Sequence, residues 1–426
     1  LNWIASFTGE NSMRISTLAA GVLSAALMAS TAFAGDVTLY TWRPQELPLW
    51  QYINDNNLIP DVKINVTQVQ SDQYDTKLRA DLQAGAGIDV FQARAGAAWL
   101  APLIEGGVIK PVTTDLSNIA PAAIEAGRGA DGEVYGVPFA VQMQSVIYNT
   151  KVFADNGIDV PTTIDEFNAA AEKLKAAGII PMSLSAKAGW WINQVLGETL
   201  TAGLVSDDLA KKLVAGEACF TDPAFVATLA TAKEWQDKGW LNSSPLADDY
   251  DVMRTSVALG ESAMMIDGAW STGPASPMYQ VDPDLKLGFF AVPGPNGKVY
   301  AFADGTYQAN ANSANAADAQ KVLDFTATKE FAELFLAQVG ELPAYGGEYA
   351  VDDERLKEVA NLIATDSAGA TPYFSYSLNS AEPSYGQLVI TAYQELFSGA
   401  ATPEEAAQKI QDGLNSWSYP GAANCQ

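Results

Sequence analysis

The side chains best equipped for chemistry are aromatic plates and planar polar groups standing where short β-rich runs end. Trp270 follows Ile266-Asp267-Gly268, a glycine turn behind the apolar run 263–266. That turn would leave the indole over an open face, with a buried core tryptophan as the alternative. Asp267 would either accept from hydroxyl donors or cap the turn. Trp190 and Trp191 follow Ala188-Gly189; adjacent residues point different ways, so one belongs in a core and the other, taken as Trp190, is free to stack. Trp42 ends the run 37–42, with Arg43 and Gln45 in the next loop, and serves either stacking or structure. Gln92 and Arg94 leave the end of another apolar run. There a guanidinium can fork onto vicinal hydroxyls or a carboxylate, or simply be a solvated charge. Gln142 and Gln144 alternate with Val141 and Met143, so both face one side. Asp304-Gly305-Thr306 and then Tyr307 follow the run 299–303, as a polar rim or as a turn; Tyr345 and Tyr385 are lesser candidates. Such an inventory suits stacking and directed hydrogen bonding. The rival chemistry is glycoside hydrolysis by a carboxylate pair such as Asp267 and Asp304.

Composition narrows the choice. The 426 residues carry 24 basic and 50 acidic side chains, a net charge of −26, and no histidine. The missing imidazole removes the usual triad base and the commonest metal ligand. A surface this acidic repels phosphate backbones and anionic lipid, which argues against nucleic acid or membrane as the main partner. The acidic stretch Asp248, Asp249, Asp251 lacks the glycine and terminal glutamate of a calcium loop and reads as a solvated face. No metal site and no cofactor is expected. At 48% hydrophobic content the chain can fill two or three cores.

Met13 and Arg14 precede an uncharged run, 15–30, that ends in Ala32-Phe33-Ala34. This is the pattern of a signal peptide cleaved before Gly35, and the run is short for a lasting anchor. Export to an oxidising compartment allows Cys219 and Cys425, the only two cysteines, to bridge; two free thiols are the alternative.

The positioning elements alternate. Residues 37–42 and 62–69 read as strands; Ser71 caps a helix carrying Tyr74, Leu78 and Leu82, which stops at Gly85 before a short strand over 88–91. Further strands are expected around 182–185 and 299–303. Thr163 with Glu166, and Thr402 with Glu405, form capping boxes before apolar helical stripes. Strand–helix alternation of this kind predicts an α/β fold.

Several segments then resemble, in order across nearly the whole chain, the extracellular solute-binding proteins of carbohydrate ABC importers, the maltose-binding-protein-like family. They are Tyr-Thr-Trp at 40–42, Ala-Gly-Ala-Gly-Ile-Asp-Val-Phe-Gln-Ala-Arg at 84–94, Leu-Ile-Glu-Gly-Gly-Val-Ile-Lys-Pro at 103–111, Asp-Gly-Glu-Val-Tyr-Gly-Val-Pro-Phe at 131–139, Val-Ile-Tyr-Asn-Thr-Lys-Val-Phe at 146–153, Pro-Thr-Thr-Ile-Asp-Glu-Phe at 161–167, Gly-Glu-Ser-Ala-Met-Met-Ile-Asp-Gly-Ala-Trp at 260–270 and Gly-Glu-Leu-Pro-Ala at 340–344. The resemblance implies a two-lobe periplasmic binding protein of type II, each lobe a mixed, mostly parallel sheet flanked by helices, with the ligand cleft between lobes. It implies lobes of 35–142 with 303–340 and 143–302 with 341–426, hinged near 141–145, 299–304 and Gly340. It further implies a monomer that carries a sugar to a membrane permease and does no chemistry on it. A pyranose needs plates for its C–H faces and planar donors and acceptors for its hydroxyls. Trp42, Trp190 and Trp270 would supply the plates; Gln45, Gln92, Arg94, Gln142, Gln144, Asp267, Asp304, Gly305 and Tyr307 would supply the rim. Maltose-type relatives have an acid where Gln142 stands, which argues against maltodextrin itself.

Overall fold

A computed structural model of the chain describes residues 35–366, 378–379, 381–417 and 419–425; the segment read as a leader, 1–34, lies outside the described residues. Alternating Val37 and Leu39 are both fully buried in strand β1 (Asp36–Thr41), as Ile64 nearly is in β2 (Lys63–Gln68). Between β2 and β3 (Val90–Arg94) runs the helix Ser71–Ala84. Its N-cap is Gln70. Ser71 is therefore the first helical residue instead of the cap, and its hydroxyl accepts from Arg94 at 3.1 Å. β3 also runs further than the sequence predicts, because β10 (Gly305–Ala309) pairs with it from Ala309↔Val90 through to Gly305↔Arg94. Gln92 and Arg94 consequently sit within a strand. With β4 (Val137–Pro138) these make a five-stranded sheet, ordered β2-β1-β3-β10-β4.

The second sheet is organised by one long strand, β5 (Ala140–Asn149). It pairs with β7 (Ser262–Gly268), β8 (Leu287–Phe290), β9 (Tyr300–Ala303) and β11 (Leu342–Pro343), all antiparallel, while β6 (Ile180–Ser183) lies parallel to β7. The α/β architecture with two mixed sheets is as expected, but parallel pairs are fewer than "mostly parallel" implies. The cause is β5, whose partners return alongside it and so run against it. β6 begins two residues before the predicted strand at 182–185, because Ile180 pairs with Ser262.

The chain passes between the sheets three times: at Phe139 between β4 and β5, at Asp304 between β9 and β10, and at Gly340-Glu341 between the helix Lys329–Val339 and β11. That helix gives Phe331, Phe335 and Val339 to the first-sheet core, whereas Leu342 belongs to the second. Both predicted capping boxes form, on Thr163 with Glu166 and on Thr402 with Glu405. Cys219 and Cys425 are bridged, with Cα atoms 5.4 Å apart, so the C-terminal turn Pro420–Ala423 is tied to the second lobe.

Candidate functional site

The three crossings converge on one cation. Arg43, the second residue after β1, is 2% exposed and each of its nitrogens meets a different carboxylate: Nε donates to Glu46 at 2.5 Å, and the terminal nitrogens to Asp304 and Glu341. Its guanidinium lies 5.0 Å from the Phe139 ring centroid. All three interlobe passages therefore touch this residue. Glu46 is further surrounded by donors, from Gln92 at 2.8 Å, Tyr307 at 2.8 Å and Trp50 at 3.3 Å. Glu341 accepts from Gln45 at 3.1 Å and from Gln142. Burial raises the Glu46 and Asp304 carboxyls above their ordinary values, with Arg43 opposing it in both. Of the three acids only Asp304 shows an appreciable side-chain surface, 15%, against 0 and 1% for Glu46 and Glu341.

Beside this cluster lies Trp42, buried in the first-lobe core, which favours its structural role over stacking. Trp42 packs edge-on against Tyr74 at 5.1 Å, and the Arg94 guanidinium sits 4.6 Å over its ring. Arg94 is paired with Asp75 at 3.1 Å and bonded to Ser71. A Cβ on Gly305 would lie 2.5 Å from the Ala93 carbonyl and 3.1 Å from the Trp42 ring, so only glycine lets β10 approach here.

The second lobe supplies the opposite wall. Asp267 is fully buried at the end of β7 and accepts from its neighbour's Gly268 N–H at 2.8 Å. Tyr250 donates to Asp267 at 2.7 Å and contacts Ser271 at 2.7 Å; Ser271 also donates to Asp267. These three oxygens close a triangle of three contacts with only two hydroxyl protons. A proton on Asp267 completes it, and burial, opposed by Ser271, Arg254 and Tyr250, pushes that carboxyl up to about 6. The indole N–H of Trp270 donates to Tyr250 Oη at 2.9 Å, and Trp190 packs edge-on to the Tyr250 ring at 5.0 Å. Tyr250 thus holds both half-buried tryptophans. The Trp270 ring lies across Gly268, where any Cβ would come within 1.9 Å of it.

Between the walls runs β5. Gln142 and Gln144 stand opposite Phe302 and Tyr300 of β9, and Gln144 also opposite Gly268 of β7. Phe302 in turn meets the Trp270 ring at 6.4 Å. Gln144 is 1% exposed, yet neither amide atom has a hydrogen-bond partner among the described residues; Gln142 Oε1 also has none there. Buried polar groups are normally satisfied, so three such atoms on two side chains demand a reason.

The placement of the predicted residues follows. Trp42, Gln45, Arg94, Gln142, Gln144, Asp304, Trp190 and Trp270 gather about the crossings or on the second-lobe wall beside them. Gln92 and Tyr307 are fully buried in the first lobe and donate to Glu46, with Gln92 Oε1 accepting from Thr41, and Gly305 acts as a spacer. Asp267 faces Tyr250 and Ser271, not an open face, because β7 extends to Gly268 and keeps it inside the strand. Trp191 is core, with its indole N–H on the Ile266 carbonyl at 3.2 Å. Tyr385 is buried in the second core. Arg43, Glu46, Glu341 and Tyr250 were missed. Arg43-x-x-Glu46 and the glutamate of Gly-Glu-Leu-Pro were visible signals; nothing in the sequence marked Tyr250. As for hydrolysis, Asp267 has no exposed surface and Asp304 is clasped by Arg43, so neither is placed as a general acid or a nucleophile.

Two α/β lobes joined by three crossings, with polar and aromatic side chains gathered around them, are the architecture of a two-lobe binding protein. Residues 44–333 match the family described as bacterial extracellular solute-binding protein, and the chain belongs to that family. Its members are receptors, not enzymes, and work in the periplasm or outside the cell. An uncharacterized ABC transporter extracellular-binding protein of Pyrococcus horikoshii is 29% identical over 294 residues, 67% of this chain and 65% of that one, a little under two thirds of its length. The multiple sugar-binding protein of Streptococcus mutans is 25% identical over 250 residues, 55% of this chain and 57% of that one. Among solved structures, a chitin oligosaccharide binding protein superimposes with a TM-score of 0.75 at 23% identity, covering 91% of this chain and 99% of the other.

Proposed function

We propose that the protein captures a sugar or short oligosaccharide between its lobes and delivers it to an ABC permease. The observation that carries this reading is Gln144: a planar donor and acceptor, buried on the crossing strand opposite Tyr300 and Gly268, with both amide atoms unpaired among the described residues. A polyol satisfies such an amide from both sides, each hydroxyl being donor and acceptor at once. Trp190 and Trp270 serve as plates, Trp42 stays in the first-lobe core, and Gln45, Arg94, Gln142 and Asp304 serve as the directional rim. Asp267, Gln92 and Tyr307 act behind the surface. The names of the relatives, sugar-binding and ABC-transporter proteins, support the ligand class and the partner. The lobes divide at Phe139, Asp304 and Gly340, and ligand contacting both shifts the population to a closed form. The chain acts as a monomer after loss of its leader. A thermal-shift screen against a carbohydrate library tests the reading: a saccharide that binds the native state raises the melting temperature by mass action. A complete library without one stabilising saccharide contradicts it.

A further inference from the structure

The charges around the crossings are unequal, and the inequality faces the ligand. Each cation there already faces a carboxylate, although Arg254 keeps a buried Nε without a partner among the described residues. Arg94 pairs with Asp75, Arg254 with Asp251 and Arg355 with Asp353, while Arg43 holds Glu46, Asp304 and Glu341 together. Two of the carboxylates on Arg43 are thus in excess of its single charge. Glu46 absorbs its share through Gln92, Tyr307 and Trp50, and Glu341 through Gln45 and Gln142. Asp304 has less: Arg43 and a bond with Gln142. It is also the acid with side-chain surface. Next to it, Gln142 spends its N–H on Glu341 and leaves Oε1, a buried acceptor, without a donor. The open positions next to Asp304, an unpaired amide oxygen and a part-exposed carboxylate, therefore both ask for donors, whereas the unpaired donor Gln144 Nε2 lies two residues further along β5. A net charge of −26 adds a long-range field of the same sign.

We propose that Asp304 sets the charge of the ligand: the site takes a saccharide that is neutral or carries a basic amine at the position beside Asp304, and rejects one bearing a carboxylate, sulfate or phosphate. This rests on the reading of the crossings as a sugar site and adds the ligand class to it. An ammonium group offers three donors and a charge to Asp304 and Gln142 Oε1 at once. A hydroxyl offers one donor and no charge. An anion meets Asp304, whose one cation is shared with two other carboxylates, where solvent screening is poor, which is how sites exclude wrong partners.

The test is calorimetry of the full chain against three matched series built on maltose, cellobiose and lactose. Each has a neutral parent, a form with one hydroxyl replaced by an amine, and a form with a terminal residue oxidised to the uronic acid. For a parent that binds, the uronate is expected to be weaker by about 100-fold, and the best-placed amine equal or tighter. In Asp304→Asn the amine-to-neutral affinity ratio is expected to fall about tenfold, whatever affinity both lose in common, and the uronate penalty to narrow. A uronate within threefold of its parent in the unmodified protein overturns the proposal without recourse to any variant. So does an amine-to-neutral ratio that Asp304→Asn leaves unchanged while circular dichroism is native. If a neutral parent binds and the charge series is flat, this inference alone falls; if none of the three binds, the same series is built on the saccharide that the thermal-shift library yields, and a library that yields none sinks this inference together with the sugar reading.

Discussion

Replacing Gln144 by methionine should make the protein more stable and make it fail to bind sugar. The two side chains are unbranched and close in volume, so Gln144→Met removes the amide with little change in packing. In the parent, burying that amide without a partner costs about 1 to 3 kcal/mol, since neither Nε2 nor Oε1 is bonded. The thioether has nothing comparable to desolvate. We therefore expect a gain of about 1 to 3 kcal/mol in the stability of the second lobe. For a unit of roughly 200 residues each kcal/mol is worth about 2 to 4 °C in melting temperature. Urea unfolding followed by tryptophan emission, with the melting temperature as a second reading, measures it. Affinity for the best saccharide should fall at least about tenfold, because hydroxyls that the amide satisfied are left unpaired in the closed cleft. A variant less stable than the parent, or one that binds its saccharide unchanged, refutes the reasoning: the amide would then have a partner within the protein.

Three further outcomes follow from the same geometry. Tyr250→Phe deletes the hydroxyl that receives the Trp270 indole N–H and donates to Asp267, so affinity should drop about 5- to 30-fold for all bound sugars alike, with tryptophan emission shifted and the ranking of sugars kept. For Asp267, raised to about 6 from 3.8, the native state holds its proton to higher pH than the unfolded chain. Its stabilising contribution is complete below pH 3.8 and lost as pH rises through 6, on the order of 3 kcal/mol; stability against pH, parent minus Asp267→Asn, should fall across that window. Reducing the Cys219–Cys425 bridge, which spans 206 residues of chain, should cost the second lobe about 2 to 4 kcal/mol in urea unfolding, and Cys219→Ser with Cys425→Ser should reproduce the loss.

How much of this was legible in the sequence differs by the kind of signal. Period-2 runs and capping residues act locally, so β1, β2 and the helices begun at Thr163 and Thr402 could be read directly. The limits of β3, β6 and β7 could not, because their ends are set by partners distant in sequence: β10 carries β3 out to Arg94, and β7 fixes the start of β6. That shift decides side-chain roles. Asp267 reads as a residue after a strand and is one inside it, which turns a candidate ligand contact into the support of Tyr250. The buried charge cluster was hidden for a related reason. Arg43, Asp304 and Glu341 are 261 and 298 residues apart, and no local pattern joins positions that meet only where a chain crosses between two sheets three times. The tryptophans were half legible: adjacency says that one of Trp190 and Trp191 is core without deciding which, and the indole N–H of Trp191 on the Ile266 carbonyl decides it.

Closure about the crossings on a bound saccharide is the central claim, and small-angle X-ray scattering of the purified protein with and without a saturating saccharide from the thermal-shift screen tests it most directly. Because the site draws residues from both sheets and Arg43 touches all three passages, ligand contacts made to both lobes should favour the compact form. A smaller radius of gyration with ligand, at unchanged molecular mass, is the expected result. An identical scattering curve at saturation would contradict it.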